Sequence, residues 1–175
     1  MIIEQVFGFE HPLSVTTLNR LAALYQTQSR YAEAEALYQR ALAIYEQAYG
    51  PDHSDTWTLD GLAHLYWKQG KYAEAERLFQ RSLAIREQIR GPDHHITAIS
   101  LTNLADLYQD QGRYAEAESL YQRALAIKEQ ILVPDHLSIE DTLERYAILL
   151  RQMQRSEEAA QLEERAREIR ARRTS

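Results

Sequence analysis

One fifteen-residue stretch, RYAEAESLYQRALAI at Arg113–Ile127, recurs along this chain. It returns as RYAEAEALYQRALAI at Arg30–Ile44 and as KYAEAERLFQRSLAI at Lys71–Ile85, with a diverged copy, RSEEAAQLEERAREI, at Arg155–Ile169. The copies start at 30, 71, 113 and 155, so the period is 41, 42 and 42 residues. A period of that size means stacked supersecondary units, each packing only on its neighbours.

Each unit reads as two helices. In the first, Pro12 suits an initial helical position, and Leu18, Leu21, Ala22, Leu24 and Tyr25 recur at helical spacing over about 12–28. Ser29-Arg30 is the turn, and the second helix runs over about 31–49 with Ala34, Leu37, Tyr38, Ala41, Leu42 and Tyr45 as its inner stripe. Gly50-Pro51 stops it. The same reading puts helix pairs at about 54–69 and 72–90, 95–111 and 114–132, and 137–153 and 156–172. The second unit lacks one residue between His53 and Leu59, which predicts a shortened or redirected first turn.

The ends differ from the middle. Residues 4–11, EQVFGFEH, match 46–53, EQAYGPDH, so the chain opens in what looks like the last turns of a helix, leaving Ile2, Ile3, Val6 and Phe7 in need of cover. In the last copy Tyr121 becomes Glu163, Leu125 becomes Arg167 and Tyr114 becomes Ser156, the polar face expected of a terminal repeat. The organisation expected is one array over 1–175: a stub at 1–10, then units at 11–50, 51–91, 92–133 and 134–175.

A net charge of −6 argues against general affinity for nucleic acid or anionic membrane. Cysteine is absent, which excludes disulfides and thiolate chemistry. With neither a signal-peptide pattern nor a long apolar run, the expectation is a soluble, cytoplasmic protein. No nucleophile elbow, phosphate loop or H-E-x-x-H occurs, so no enzyme activity, cofactor or metal is expected. His11, His53, His94 and His136 recur once per unit, and their spacing across packed helices suits local capping better than a shared metal. The arginines from Arg165 to Arg173 alternate with Glu163, Glu164 and Glu168, the pattern of a solvated helix.

Leu104, Ala105, Tyr108, Ala117, Tyr121 and Ala124, with Leu21, Ala22, Tyr25, Ala34, Tyr38 and Ala41 and then Leu62, Ala63, Tyr66, Ala75, Phe79 and Ser82, resemble the tetratricopeptide repeat pattern. The longer period, the Gly-Pro-Asp-His junction and Leu101–Ala105 (LTNLA) resemble the kinesin-light-chain type of that repeat. The resemblance implies an all-α fold, a right-handed solenoid of antiparallel helix-turn-helix units, acting as a protein-interaction module. Alternatives are an oligomerisation scaffold, self-associating through Ile2, Ile3, Val6 and Phe7, or the repeat portion of a larger signalling NTPase or effector.

In such arrays the first helix of each unit lines a concave face. Carried onto this sequence, that implies a peptide site at Asn19, Gln26, Trp57, Asp60, His64, Trp67, Lys68, Thr102, Asn103, Asp106, Gln109, Asp110, Glu144 and Arg151, flanked by Thr16, Ala23, Thr27, Ile99, Asp141 and Ile148. Trp57 and Trp67 are the strongest anchor candidates, because indoles carry much of the energy at interfaces. Asp60, Asp106, Asp110, Asp141 and Glu144 outnumber Lys68 and Arg151, so the expected partner is a neutral or basic segment with an apolar anchor.

Overall fold

The computed structural model describes residues 11–50, 55–134 and 136–174. The stub, with Ile2, Ile3, Val6 and Phe7, lies outside the described residues, as do His53 and Ser54. The described chain is all-α. After a 3-10 turn at Pro12–Ser14 come α1 (Val15–Thr27), α2 (Tyr31–Tyr49), α3 (Thr56–Lys68), α4 (Tyr72–Arg90), α5 (His95–Asp110), α6 (Tyr114–Ile131), α7 (Leu137–Gln152) and α8 (Ser156–Thr174). Residues group into two compact units, one ending at Ile85 and one beginning at Arg86.

The alternation of helix pairs rests on one turn used repeatedly. The residue two before each second helix, after α1, α3, α5 and α7, has positive φ: Ser29 at 61°, Gly70 at 74°, Gly112 at 73° and Gln154 at 62°. The next N–H closes back on the carbonyl five residues earlier, from Arg30 to Tyr25, Lys71 to Tyr66 and Arg113 to Tyr108 at 2.9 Å each, and from Arg155 to Leu150 at 2.8 Å. This is a Schellman cap, which satisfies otherwise orphaned carbonyls. In three copies the cation then lies on the tyrosine whose carbonyl it caps: Arg30 on Tyr25 at 3.9 Å, Lys71 on Tyr66 at 5.0 Å and Arg113 on Tyr108 at 3.8 Å. Because only glycine adopts this conformation without a Cβ penalty, Ser29→Gly and Gln154→Gly are each expected to raise stability by about 0.5–1 kcal/mol. Urea denaturation measures the gain, and Gly70→Ala should move the opposite way.

Helix starts follow the junction histidines. His11, His94 and His136 each accept a backbone N–H two residues on through Nδ1, from Leu13 at 3.2 Å, Ile96 at 3.2 Å and Ser138 at 3.0 Å. In the second repeat the cap is Asp55, accepting from the Trp57 N–H at 3.3 Å. There α3 begins at Thr56 and spans 13 residues, the length of α1, against 16 for α5 and α7.

Small residues let the paired helices approach, and aromatics fill the gaps. In the first unit Ala22, Ala34, Tyr38, Leu62 and Leu65 form one cluster, and Val15, Leu18, Ala41 and Ile44 another. In the second, Leu125, Ile139, Leu143, Ala166 and Ile169 pack together. Leu21 and Leu24 are exceptions to the predicted inner stripe. They are 37% and 51% exposed, whereas their counterparts Leu62 and Leu65 are buried beside Tyr38 of α2. One ion pair recurs between successive second helices: Arg81–Glu46 at 2.6 Å, Arg123–Glu87 at 2.6 Å and Arg165–Glu129 at 2.5 Å. These half-exposed pairs set register more than they stabilise.

Candidate functional site

The residues implied as a peptide site fall into two groups, one in each compact unit. In the first unit Asn19 is largely buried. It is 5% exposed, donates to Asp55 Oδ2 at 3.0 Å and Thr58 Oγ1 at 2.8 Å, and so ties α1 to the start of α3. Asp55 also accepts from the Thr58 hydroxyl at 2.6 Å. Beside this buried network lies an open cleft of about 450 Å³, lined by Thr16, Asn19, Arg20, Ala23, Asp55 and Trp57. Trp57 is 74% exposed and forms one wall.

The structure separates the two tryptophans. They are ten residues apart on α3, ~15 Å along a helix axis. Trp67 is half-buried; its ring lies 5.8 Å from His64 and edge-on to Phe79 at 6.4 Å. His64 meets Phe79 edge-on at 4.9 Å, and its Nδ1 lies 2.8 Å from the Asp60 carbonyl oxygen. The position held by Trp67 meets the same second-helix position in every copy: Gln26 with the Tyr38 hydroxyl at 3.5 Å, Gln109 with the Tyr121 hydroxyl at 3.0 Å, and Arg151 with Glu163 at 2.6 Å. Where the hydroxyl is lost, at Phe79, the amide is replaced by an indole. Lys68, at the end of α3, is exposed.

In the second unit Thr102 is 5% exposed and donates its hydroxyl to the Ala98 carbonyl at 3.0 Å, so it braces α5. The acids expected to dominate this face are largely engaged within the protein. Asp106 accepts from the Tyr121 hydroxyl and from Arg145 at 2.5 Å, and Arg145 also holds Asp141 at 3.0 Å. Burial pushes the Asp106 carboxyl up, while Tyr121 and Arg145 oppose the shift. Glu144 pairs with Arg170 at 2.5 Å. Arg145 and Arg170 thus engage three of the five acids counted along the sequence. Asn103 and Gln109 remain half-buried, and Asp110 is exposed at the end of α5.

Two features had no sequence signal. Glu140 on α7 is 2% exposed and accepts from Arg170 at 2.6 Å and Arg173 at 2.7 Å, fastening the last helix. Gly61, at the position occupied by Arg20, Asn103 and Arg145 in the other repeats, lies against Tyr38; a Cβ there would sit 2.5 Å from Tyr38 Cε1. Among the described residues no group of acids and histidines is arranged to hold a metal ion, and no helix is long and apolar enough to cross a membrane.

Comparison with known proteins agrees with this architecture. A family model described as tetratricopeptide repeat matches residues 13–88, 54–130 and 98–172. The crystal structure of BtubC (BKLC) from P. vanneervenii superposes with a TM-score of 0.86 at 23% identity, covering 99% of this chain and 70% of that one. A putative kinesin light chain from Podosopora anserina, with nearly identical TPR-like repeats, gives 0.78 at 27% identity over 98% of this chain and 82% of that one. A single-substitution form of it gives 0.82 at 25% identity, covering 99% and 82%. No curated protein sequence matches the chain.

Proposed function

The chain belongs to the tetratricopeptide repeat family, and from that premise we propose that it is a non-catalytic interaction module whose anchor point is Trp57. The carrying observation is an indole 74% exposed at the wall of a cleft whose Asn19 and Asp55 are already engaged within the fold. A large, rigid apolar face at low entropic cost is what a hot spot needs. Asn103, Gln109 and Asp110 form a second contact area in the other unit.

The charged residues lining the Trp57 cleft are Arg20 and Asp55, and Asp55 is already engaged by Asn19 and Thr58. A neutral segment carrying an apolar or aromatic side chain therefore fits the Trp57 cleft better than a strongly basic one. Self-association through Ile2, Ile3, Val6 and Phe7 concerns residues outside those described. Peptides selected from a displayed library against the whole protein are expected to lose at least about tenfold in affinity on Trp57→Ala, about 1.4 kcal/mol or more, and little on Trp67→Ala. If every selected peptide binds the Trp57→Ala protein unchanged, the anchor assignment is wrong.

A further inference from the structure

The second unit buries a lysine against neutral acceptors. Lys128 on α6 is 3% exposed. Its Nζ donates to Thr142 Oγ1 at 2.6 Å and to the Ser138 carbonyl at 3.3 Å, both neutral acceptors on α7. At the equivalent positions in the neighbouring repeats stand Arg86, which donates to the Ser100 hydroxyl at 2.5 Å, and Arg170, which reaches Glu140 and Glu144. Among the described residues, Lys128 has no carboxylate partner of the kind that Arg170 has. A buried cation held by neutral acceptors alone bears an uncompensated desolvation cost.

Lys128 lines an open cleft of about 390 Å³, together with His95, Ile99, Leu132, His136 and Ser138. Among the described lining residues, the side chains that carry or can take up charge are Lys128, His95 and His136, and none is a carboxylate. His136 uses Nδ1 to accept from the Ser138 N–H, so its neutral ring carries the proton on Nε2. His95 lies at the cleft, its ring 4.4 Å from that of His94. Asp141 and Asp106 act on Lys128 only through space, and Arg145 opposes them. Ile99 and Leu132 supply an apolar wall.

We propose that this cleft binds one anionic oxyacid group, a carboxylate or a phosphate, whose oxygens receive the remaining Lys128 proton and a histidine N–H. The charge that Lys128 lacks inside the fold is then supplied by the ligand. The apolar wall suits an anion borne on a carbon chain as well as a free ion. This site is separate from the Trp57 cleft, which lies in the other compact unit, and it does not depend on the anchor assignment.

The test uses the whole protein and two probes, inorganic phosphate and acetate, titrated at constant ionic strength with chloride. Histidine side-chain nitrogen resonances report on His95 and His136, with His64 as an internal control. The expected result is a saturable shift of the His95 and His136 signals at millimolar probe, with His64 unmoved. Saturation by phosphate alone would assign the site to phosphate groups, and saturation by acetate to carboxylates. Lys128→Met should abolish saturation, and His95→Ala, which removes an exposed ring, should weaken the response at His136 at least threefold while the fold is retained. Linear, non-saturating shifts with both probes, or an unchanged titration in Lys128→Met, would overturn the proposal.

Discussion

Tyr121→Ala is expected to cost about 4 kcal/mol of folding stability, and Tyr121→Phe only about 1 kcal/mol. The ring is 0% exposed and stacks on Tyr146 with centroids 5.8 Å apart. Removing it opens a cavity between α6 and its neighbours, which relaxation fills only partly. The hydroxyl contributes less. It donates to Asp106 and lies 3.0 Å from Gln109 Oε1, yet Asp106 keeps Arg145 at 2.5 Å when the hydroxyl is removed. Phe79 already occupies the equivalent place without a hydroxyl, also 0% exposed. Urea denaturation of the two variants distinguishes ring from hydroxyl. Equal losses would mean that the buried hydrogen bonds, and not ring packing, hold this position.

Lys128→Met is expected to stabilise the protein at pH 7, by at most about 3 kcal/mol, and to lose that advantage as the pH approaches 10.5. Burial pushes the Lys128 amine down to about 8 from its ordinary 10.5. Below pH 8 both folded and unfolded chains carry the proton, so the folded state bears the full cost of a buried charge. Between 8 and 10.5 the folded chain releases a proton that the unfolded chain keeps, so wild-type stability climbs. Methionine fits a similar volume and needs no acceptor, and the Thr142 hydroxyl keeps its own bond to the Ser138 carbonyl at 2.9 Å. Burial also raises the Tyr121 and Tyr146 hydroxyls. Their contribution is lost above pH 10, as the unfolded tyrosines ionise first. Thermal unfolding of both proteins from pH 6 to 10.5, in chloride buffer free of oxyanions, isolates the lysine as a difference. A wild-type-minus-variant gap that stays constant across that range would show that Lys128 titrates normally.

The repeating sequence by itself determined the helix pairs, their turns and the family. Each needs only local information: apolar residues at helical spacing, a left-handed position before each second helix, and a junction histidine whose Nδ1 reaches two residues on. Four such caps and three such histidines stand where the periodicity predicts. The site was less legible, because exposure and charge there depend on partners 12 to 39 residues away. Trp57 and Trp67 look alike in sequence, yet Phe79 half-buries one while the other stays 74% exposed. Asn19 and Asp106 stand as polar residues on first helices, and only the fold shows that Thr58 and Arg145 on other helices engage them. Lys128 carries no signal at all until α7 closes over it with neutral oxygens. Tertiary packing alone decided these points, because a side chain's desolvation and its counter-charge are set by what the neighbouring helix presents, and helical periodicity encodes only which face is turned toward it.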